Sequence, residues 1–213
     1  MAATAIDHLV IAAATLEEGV AFVRARLGVA LQPGGKHQRM GTHNGLLKLG
    51  PKLYLEVIAV DPTAAKPERP RWFGLDSVSL NEAISQGPRL ITWVVSTDDI
   101  DKLAACCPES LGNITLMQRG SFSWKMTIPE DGHLSGGGLI PTLIQWQGSQ
   151  HPADALPDQG CSLQLLAGTH EHPDAVRRAL AALDLTGAMP VSQGVARLAA
   201  RIRTPFGVKT LSS

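Results

Sequence analysis

The chain has 213 residues, 44% hydrophobic and 18% charged, with 19 basic and 19 acidic side chains and a formal net charge of zero. That composition belongs to a globular chain with enough apolar material for a large core, and it excludes a disordered or fibrous one. No basic patch or charge run points to nucleic acid or an anionic membrane, no apolar run is long enough to span a bilayer, and the N-terminus lacks the basic region of a signal peptide; the expectation is a soluble, cytoplasmic protein.

The first strong signal is Ala5-Ile-Asp-His-Leu-Val-Ile-Ala12, a strand with a histidine at its centre. Alternation puts Ile6, His8 and Val10 on one side and Asp7, Leu9 and Ile11 on the other. Thr15 and Glu18 form a Thr-x-x-Glu box that starts a helix, Leu16, Val20, Val23 and Leu27 make one helical stripe, and Gly28 ends it. Gln32-Pro-Gly-Gly-Lys-His37 reads as turn chemistry. Strands are expected over 41–49 and 52–60, with Gly50-Pro51 between them and Tyr54, Glu56 and Ile58 on one face. Residues 61–88 read as a connector carrying an apolar knot, Arg71-Trp-Phe-Gly-Leu-Asp76, that packs onto something. A strand at Leu90-Val95 and a helix capped by Thr97 or Asp98 follow, the helix ending at Pro108; further strands are expected at 114–118, 121–128 and 139–146. A polar linker at 149–159 then leads to a strand near Cys161, a helix started by His172-Pro173, and strands at 195–203 and 208–211.

An internal repeat organises this pattern. An offset of 84 residues carries His8, Leu16, Leu27 and Gly28 onto Thr92, Ile100, Leu111 and Gly112. For the last strand of each copy, an offset of 89 sets Gln145 where the first copy has Glu56. A βαβββ unit leaves one sheet face open, so two of them side by side make a cup. The expected fold is α+β: paired βαβββ modules forming a cupped mixed sheet with helices outside. Residues 1–61 are the first module, 62–88 a connector and 89–150 the second module. Residues 151–213 are a partial third module, βαββ, packed on the same domain.

Within that cup the residues that stand out are Glu56, His8 and His43. A carboxylate inside a Leu/Val/Ile strand needs a metal, a cation or a proton, because burying it alone costs several kcal/mol; Arg71 or Arg89 would satisfy it as well as a metal. Trp72, Phe73, Trp93, Trp124 and Trp146 are core or cup lining and suit a flat or apolar ligand. Of the loop histidines, His151 alone follows the strand bearing Gln145. Cys106, Cys107 and Cys161 are read as reduced, buried thiols, with no histidine near in sequence to make a nucleophile. Gly136-Gly-Gly138 lacks the context of a phosphate loop.

Ile-Asp-His-Leu-Val with its following helix, Gly-Thr-His-Asn at 41–44, Tyr-Leu-Glu-Val-Ile at 54–58, Arg-Trp-Phe-Gly-Leu-Asp at 71–76, Gly137-Gly-Leu-Ile-Pro-Thr-Leu-Ile-Gln-Trp146 and His151-Pro152 together resemble the glyoxalase-like domain family of the vicinal oxygen chelate superfamily. The resemblance implies a small-molecule site in the cup and a divalent metal (Zn, Ni, Mn or Fe) held by residues of the first and last strands. On this chain those positions are His8 and Glu56, with Thr92 and Gln145 departing from the pattern in the second module and His43 able to complete a two-His, one-carboxylate set. Glu56 or His43 would move protons, and Thr92, Gln145, Trp72 and Trp124 would touch substrate. The implied function is isomerase, lyase or dioxygenase chemistry on vicinal oxygens. The alternative, favoured by Thr92 and Gln145, is a metal-free protein that binds or sequesters a small molecule, as resistance proteins do. The partner expected is a small-molecule ligand, with monomer and homodimer both open.

Overall fold

The computed structural model describes residues 3–213. The first unit runs β1 (Thr4–Ala12), α1 (Leu16–Leu27), β2 (Gln32–His37), β3 (Thr42–Gly50) and β4 (Leu53–Val60). The connector carries α2 (Val78–Ser85); the second unit runs β5 (Arg89–Thr97), α3 (Ile100–Cys106), β6 (Asn113–Arg119), β7 (Phe122–Ile128) and β8 (Thr142–Trp146). Then come α4 (Pro152–Ala155), β9 (Ser162–His170), α5 (Pro173–Ala182), β10 (Val191–Gln193), β11 (Arg197–Thr204) and β12 (Gly207–Ser212).

The first eight strands form one curled mixed sheet in the order β2-β3-β4-β1-β5-β8-β7-β6, and the last four form a separate sheet in the order β10-β9-β11-β12. The expected α+β cup of two βαβββ units is therefore present. The tail keeps the order of strand, helix and strands but pairs those strands differently. In the first unit the opening strand pairs parallel with the last strand (β1 with β4), whereas β9 pairs parallel with β10, the strand that follows its helix. The tail's own sheet packs through Leu166, Leu198, Ala200, Ile202 and Leu211 into the core that also contains Leu9, Val23, Leu27 and Leu143.

Local chemistry explains most boundaries. The Thr15 hydroxyl accepts from the Glu18 N–H at 3.2 Å, and Gly28 ends α1 in the left-handed conformation that glycine adopts without steric cost. Asp99, rather than Thr97 or Asp98, caps α3. The stretch 32–37 is an edge strand paired with β3, where Pro33 is tolerated beside a bulge because an edge needs fewer N–H donors. The connector contains the helix α2, capped by Ser77, and β8 begins at Thr142 rather than at 139. Cys106 is exposed, not buried, and all three cysteines are free thiols.

The centre of the sheet is the antiparallel pair β1–β5, in which Leu9 lies opposite its own repeat mate Trp93. The pair is interrupted twice: between Ile6 and His8, and opposite the Val10/Ile11 step, where Ile91 is skipped. The two extra residues, Asp7 and Ile91, occupy equivalent places in the two copies. A bulge turns two successive side chains toward one face. Ile6 consequently joins the helix-side core, while Asp7 comes to the side of His8. This overturns the simple alternation expected of the strand.

Two apolar cores lie on either side of the large sheet. The convex side packs on α1, α3 and the second sheet. The concave side is lined by Val10, Ala12, Ile58, Val94, Met126 and Ile144, and is closed by the connector through Trp72, Phe73 and Leu75. The knot at 71–76 thus plugs the cup.

Gly138 crosses closest to the second bulge. Its φ is +91°, and a Cβ there would sit 1.9 Å from the Ile91 carbonyl oxygen. Gly120, at φ +56°, has nothing within 4 Å of the place a Cβ would take, so substitution meets only the backbone penalty. Gly120→Ala is expected to cost about 1–2 kcal/mol, and Gly138→Ala at least about 3 kcal/mol because strain and overlap add. Urea unfolding midpoints of the two variants measure the difference.

Candidate functional site

The concave face gathers a polar network around Asp7, which is 1% exposed. One carboxylate oxygen accepts from His8 Nδ1 at 2.7 Å; the other accepts from Trp146 Nε1 at 2.8 Å and from His151 Nε2 at 3.1 Å. The tautomer of His151 follows from its second contact, because its Nδ1 accepts from the Ala153 N–H at the start of α4, at 3.1 Å. Its proton therefore sits on Nε2, aimed at Asp7. Burial works against ionising Asp7, but the hydrogen bonds from His151 and His8 outweigh it and bring the carboxyl down to about 2.

Asp7 in turn fixes His8. With Nδ1–H committed to the carboxylate, Nε2 points into the cup and lies 3.7 Å from Glu56 Oε2. That separation is too long for a direct hydrogen bond. The ring of His8 stacks on Tyr54, with centroids 4.6 Å apart. Burial and the carboxylates of Asp7 and Glu56 hold the Tyr54 phenol well above its usual range, so it stays protonated. The other oxygen of Glu56 accepts from Asn44 Nδ2 at 2.5 Å, and Asn44 Oδ1 accepts from Gly35 N–H and Arg119 Nη1 at 2.8 and 3.2 Å.

His8 and Glu56 come together because β1 and β4 pair in parallel with Val10 opposite Glu56 and His8 opposite Tyr54, which turns residues 8 and 56 to the same face. His43 does not join them. It alternates with Asn44 along β3 and shares the side of Leu47 and Leu49, which pack in the convex core. Gln145 is also on the convex side, where it accepts from the Ile100 N–H and donates to the Asp98 carbonyl at the start of α3. The reason is register: Val10 pairs with Glu56, and its mate Val94 pairs with Thr142, so the true offset between Glu56 and its counterpart is 86 residues. The expected offset of 89 is wrong by three, an odd number, and an odd slip exchanges the faces of a strand. Thr92 does face the cup, but its hydroxyl donates to the Gly138 carbonyl at 3.2 Å. Trp72 and Trp124 line the hollow, and Arg71 pairs with Asp76 rather than with Glu56. Asp7, His37, Asn44 and Arg119 are cup residues that the sequence pattern did not single out. Strand alternation puts Asp7 on the opposite side, Asn44 stands beside the His43 chosen from Gly-Thr-His-Asn, and His37 and Arg119 carry no local motif.

The hollow bounded by His8, Glu56, His37, Trp124 and Trp146 leaves about 20 Å³ free, room for about one water. Arg119 lies at its edge and also lines a wider outer cleft of about 610 Å³, between β2, the β6–β7 turn and α4. A divalent ion of the kind expected does not fit the donors present. Of the ligands expected, only His8 and Glu56 converge, their counterparts in the second copy are Thr92 and Thr142, and a guanidinium shares the hollow. Among the described residues no three His, Cys, Asp or Glu side chains come together to hold a metal.

The model of a family described as "Glyoxalase-like domain" matches residues 6–183. A search of curated proteins finds no match. Among solved structures, the fold is similar to a hypothetical protein from Staphylococcus aureus (TM-score 0.62, 14% identity, 91% of this chain and 88% of that one). It is also similar to a mutant of 4-hydroxymandelate synthase from Streptomyces coelicolor (TM-score 0.51, 17% identity), where all of this chain spans 63% of that one. A Streptomyces coelicolor methylmalonyl-CoA epimerase in complex with 2-nitronate-propionyl-CoA matches more loosely (TM-score 0.42, 17% identity, 70% of this chain and 98% of that one). Among the described residues no helix is long and apolar enough to cross a membrane.

His37, at the end of β2, gives the site a pH signature. Burial, then the positive charge of Arg119, push its imidazole from 6.5 down to about 3. The unfolded chain therefore takes up a proton here as pH falls through 6.5 while the folded chain does not until about 3, so this stabilisation is full above 6.5 and is lost on acidification. Between those limits His37 contributes a slope of about 1.4 kcal/mol per pH unit to unfolding free energy. His37→Gln is expected to reduce the measured slope by about that amount between pH 4 and 6, read from denaturant unfolding across the range.

Proposed function

Because the chain belongs to the glyoxalase-like domain family, we propose that its cup is a small-molecule site in which His8 and Glu56 move a proton on a bound ligand, and that it does so without the divalent ion expected from the sequence. One observation carries this reading: His8 Nε2 and Glu56 Oε2 face each other across a 3.7 Å gap, with the tautomer of His8 set by Asp7 behind it. An imidazole oriented by a buried carboxylate is the arrangement that general acid–base catalysis needs, because the ring neither rotates nor loses its tautomer when the proton moves. The separation is wider than one hydrogen bond and narrower than two, so a ligand atom seated beside the pair, off the line that joins them, lies within hydrogen-bond reach of both groups. Proton transfer at carbon or between vicinal oxygens, as in an isomerase or lyase, is the chemistry this supports. Asp7 acts as a positioning residue through His8.

A second reading keeps the cup as a binding site only. It is favoured by the aromatic wall of Trp72, Trp124 and Trp146, which suits the retention of a flat molecule.

The test is exchange of carbon-bound hydrogen. Wild-type protein is incubated in D2O with a panel of small 2-oxo and 2-hydroxy acids and followed by proton NMR. Exchange or turnover of at least one compound is expected, falling by roughly 10²–10⁴-fold in His8→Gln and Glu56→Gln. Asp7→Asn should lower the rate and alter its pH profile while leaving ligand affinity near wild type. If His8→Gln and Glu56→Gln keep full turnover, the pair has no catalytic part. Ligand stabilisation with no exchange in any protein supports the binding-only reading. Elemental analysis of protein purified without chelator is expected to show no metal near one per chain; a stoichiometric ion lost in His8→Ala would overturn the metal-free mechanism.

A further inference from the structure

Resting on the reading of the cup as a ligand site, we infer that Arg119 is the anchor for a carboxylate, and that the substrate is a small carboxylic acid with an apolar remainder. Arg119 closes β6 and borders both the inner hollow and the outer cleft. Its Nη1 is held by Asn44 Oδ1 at 3.2 Å and lies 3.3 Å from His37 Nε2, and its guanidinium carbon lies 5.8 Å from the Phe122 ring centroid. These contacts are all with neutral groups: among the described residues no Asp or Glu forms an ion pair with it. The neighbouring cation, Lys36, is taken by Asp61 at 2.7 Å.

A fixed, half-buried guanidinium with neutral partners is an electrostatic vacancy. Three partners orient it, yet they satisfy only part of its five N–H donors, and no carboxylate touches it directly: Glu56, in the same hollow, is reached only through Asn44. The geometry of the fork favours a planar carboxylate, and a single unpaired cation balances one negative charge rather than the two of a phosphate. Asn44 connects this anchor to the proton-handling pair, since the same amide that accepts from Arg119 donates to Glu56. An acid whose carboxylate meets Arg119 therefore places its adjacent carbon toward the gap between Glu56 and His8. The hollow has room for about one water, so all but the reacting group of the molecule must lie outward, in the cleft lined by Pro33, Phe122 and Leu156.

The experiment titrates pyruvate, its neutral amide pyruvamide, and inorganic phosphate into wild-type protein and into Arg119→Gln and Arg119→Lys, using calorimetry and the fluorescence of the tryptophans lining the hollow. Pyruvate is expected to bind wild type more tightly than phosphate or pyruvamide, and to weaken with added salt. Arg119→Gln should weaken pyruvate binding by about ten- to hundredfold, with Arg119→Lys in between because it keeps the charge and loses the fork. Equal binding of pyruvate by wild type and a folded Arg119→Gln, tighter binding of phosphate or pyruvamide, or no binding of pyruvate tighter than about 50 mM would each overturn the inference. Should Arg119→Gln fail to fold by circular dichroism, Arg119→Lys and the salt series on wild type decide. Arg119-dependent binding without His8-dependent exchange would sink the proton-transfer reading and leave the anchor standing. Exchange that survives Arg119→Gln at unchanged KM would sink the anchor alone.

Discussion

Asp7 is a carboxylate buried to 1% exposure, and a charge in that position is tolerated only if its surroundings supply the hydrogen bonds that water would. Three donors do so, from β1, β8 and the N-cap of α4. They come from parts of the chain about 140 residues apart, so satisfying this one group ties the first strand of the first unit to the last strand of the second and to the segment after it. The orientation of His8, and with it the gap to Glu56, depends on that tie. An unsatisfied Asp7 would free the imidazole to rotate and leave Glu56 facing a ring without a defined tautomer.

The duplication explains why such a site can exist in the middle of a sheet. Two equivalent bulges interrupt the central pair, and each turns an extra side chain toward the cup. In the second copy that residue is Ile91, which joins the concave apolar core; in the first it is Asp7, which anchors the polar network. The same backbone irregularity therefore serves packing in one copy and chemistry in the other. The asymmetry continues at Thr92 and Thr142, the mates of His8 and Glu56: the first unit supplies the imidazole and carboxylate, while the second supplies Trp124, Trp146 and Arg119. The connector completes the enclosure: Trp72 stacks on Phe73, with centroids 5.4 Å apart, and Phe73 holds a left-handed backbone, φ +57°, that a bulky side chain adopts only when packing compensates.

Much of this was legible from residue order. The strand and helix periods, the Thr15 and His172-Pro173 helix starts, the Gly28 stop and the 84-residue repeat are local patterns, and the cup of paired units follows from them. The placement of His8 and Glu56 in the cup was legible too, through the family resemblance rather than through alternation, which the bulge at Asp7 breaks. What failed were inferences that cross an irregularity. The bulge at Asp7 reversed the sides assigned to Ile6 and Asp7. The length of the loop before β8 set the register of Gln145, and an error of three residues moved it to the wrong face. His43 sat one residue from Asn44, the position that reaches Glu56, and choosing the imidazole on chemical grounds chose the wrong side of β3.

Sequence alone determined the modules, their repetition and the presence of an imidazole and a carboxylate on strands of the first one, because periodicity and capping are short-range and need no knowledge of what packs against them. Tertiary structure decided which polar groups meet: Asp7 with His151 and Trp146, Asn44 with Glu56, Arg119 with His37. Those partners are separated by up to 144 residues, and their meeting depends on strand register, bulges and the path of the connector, none of which any one segment encodes by itself.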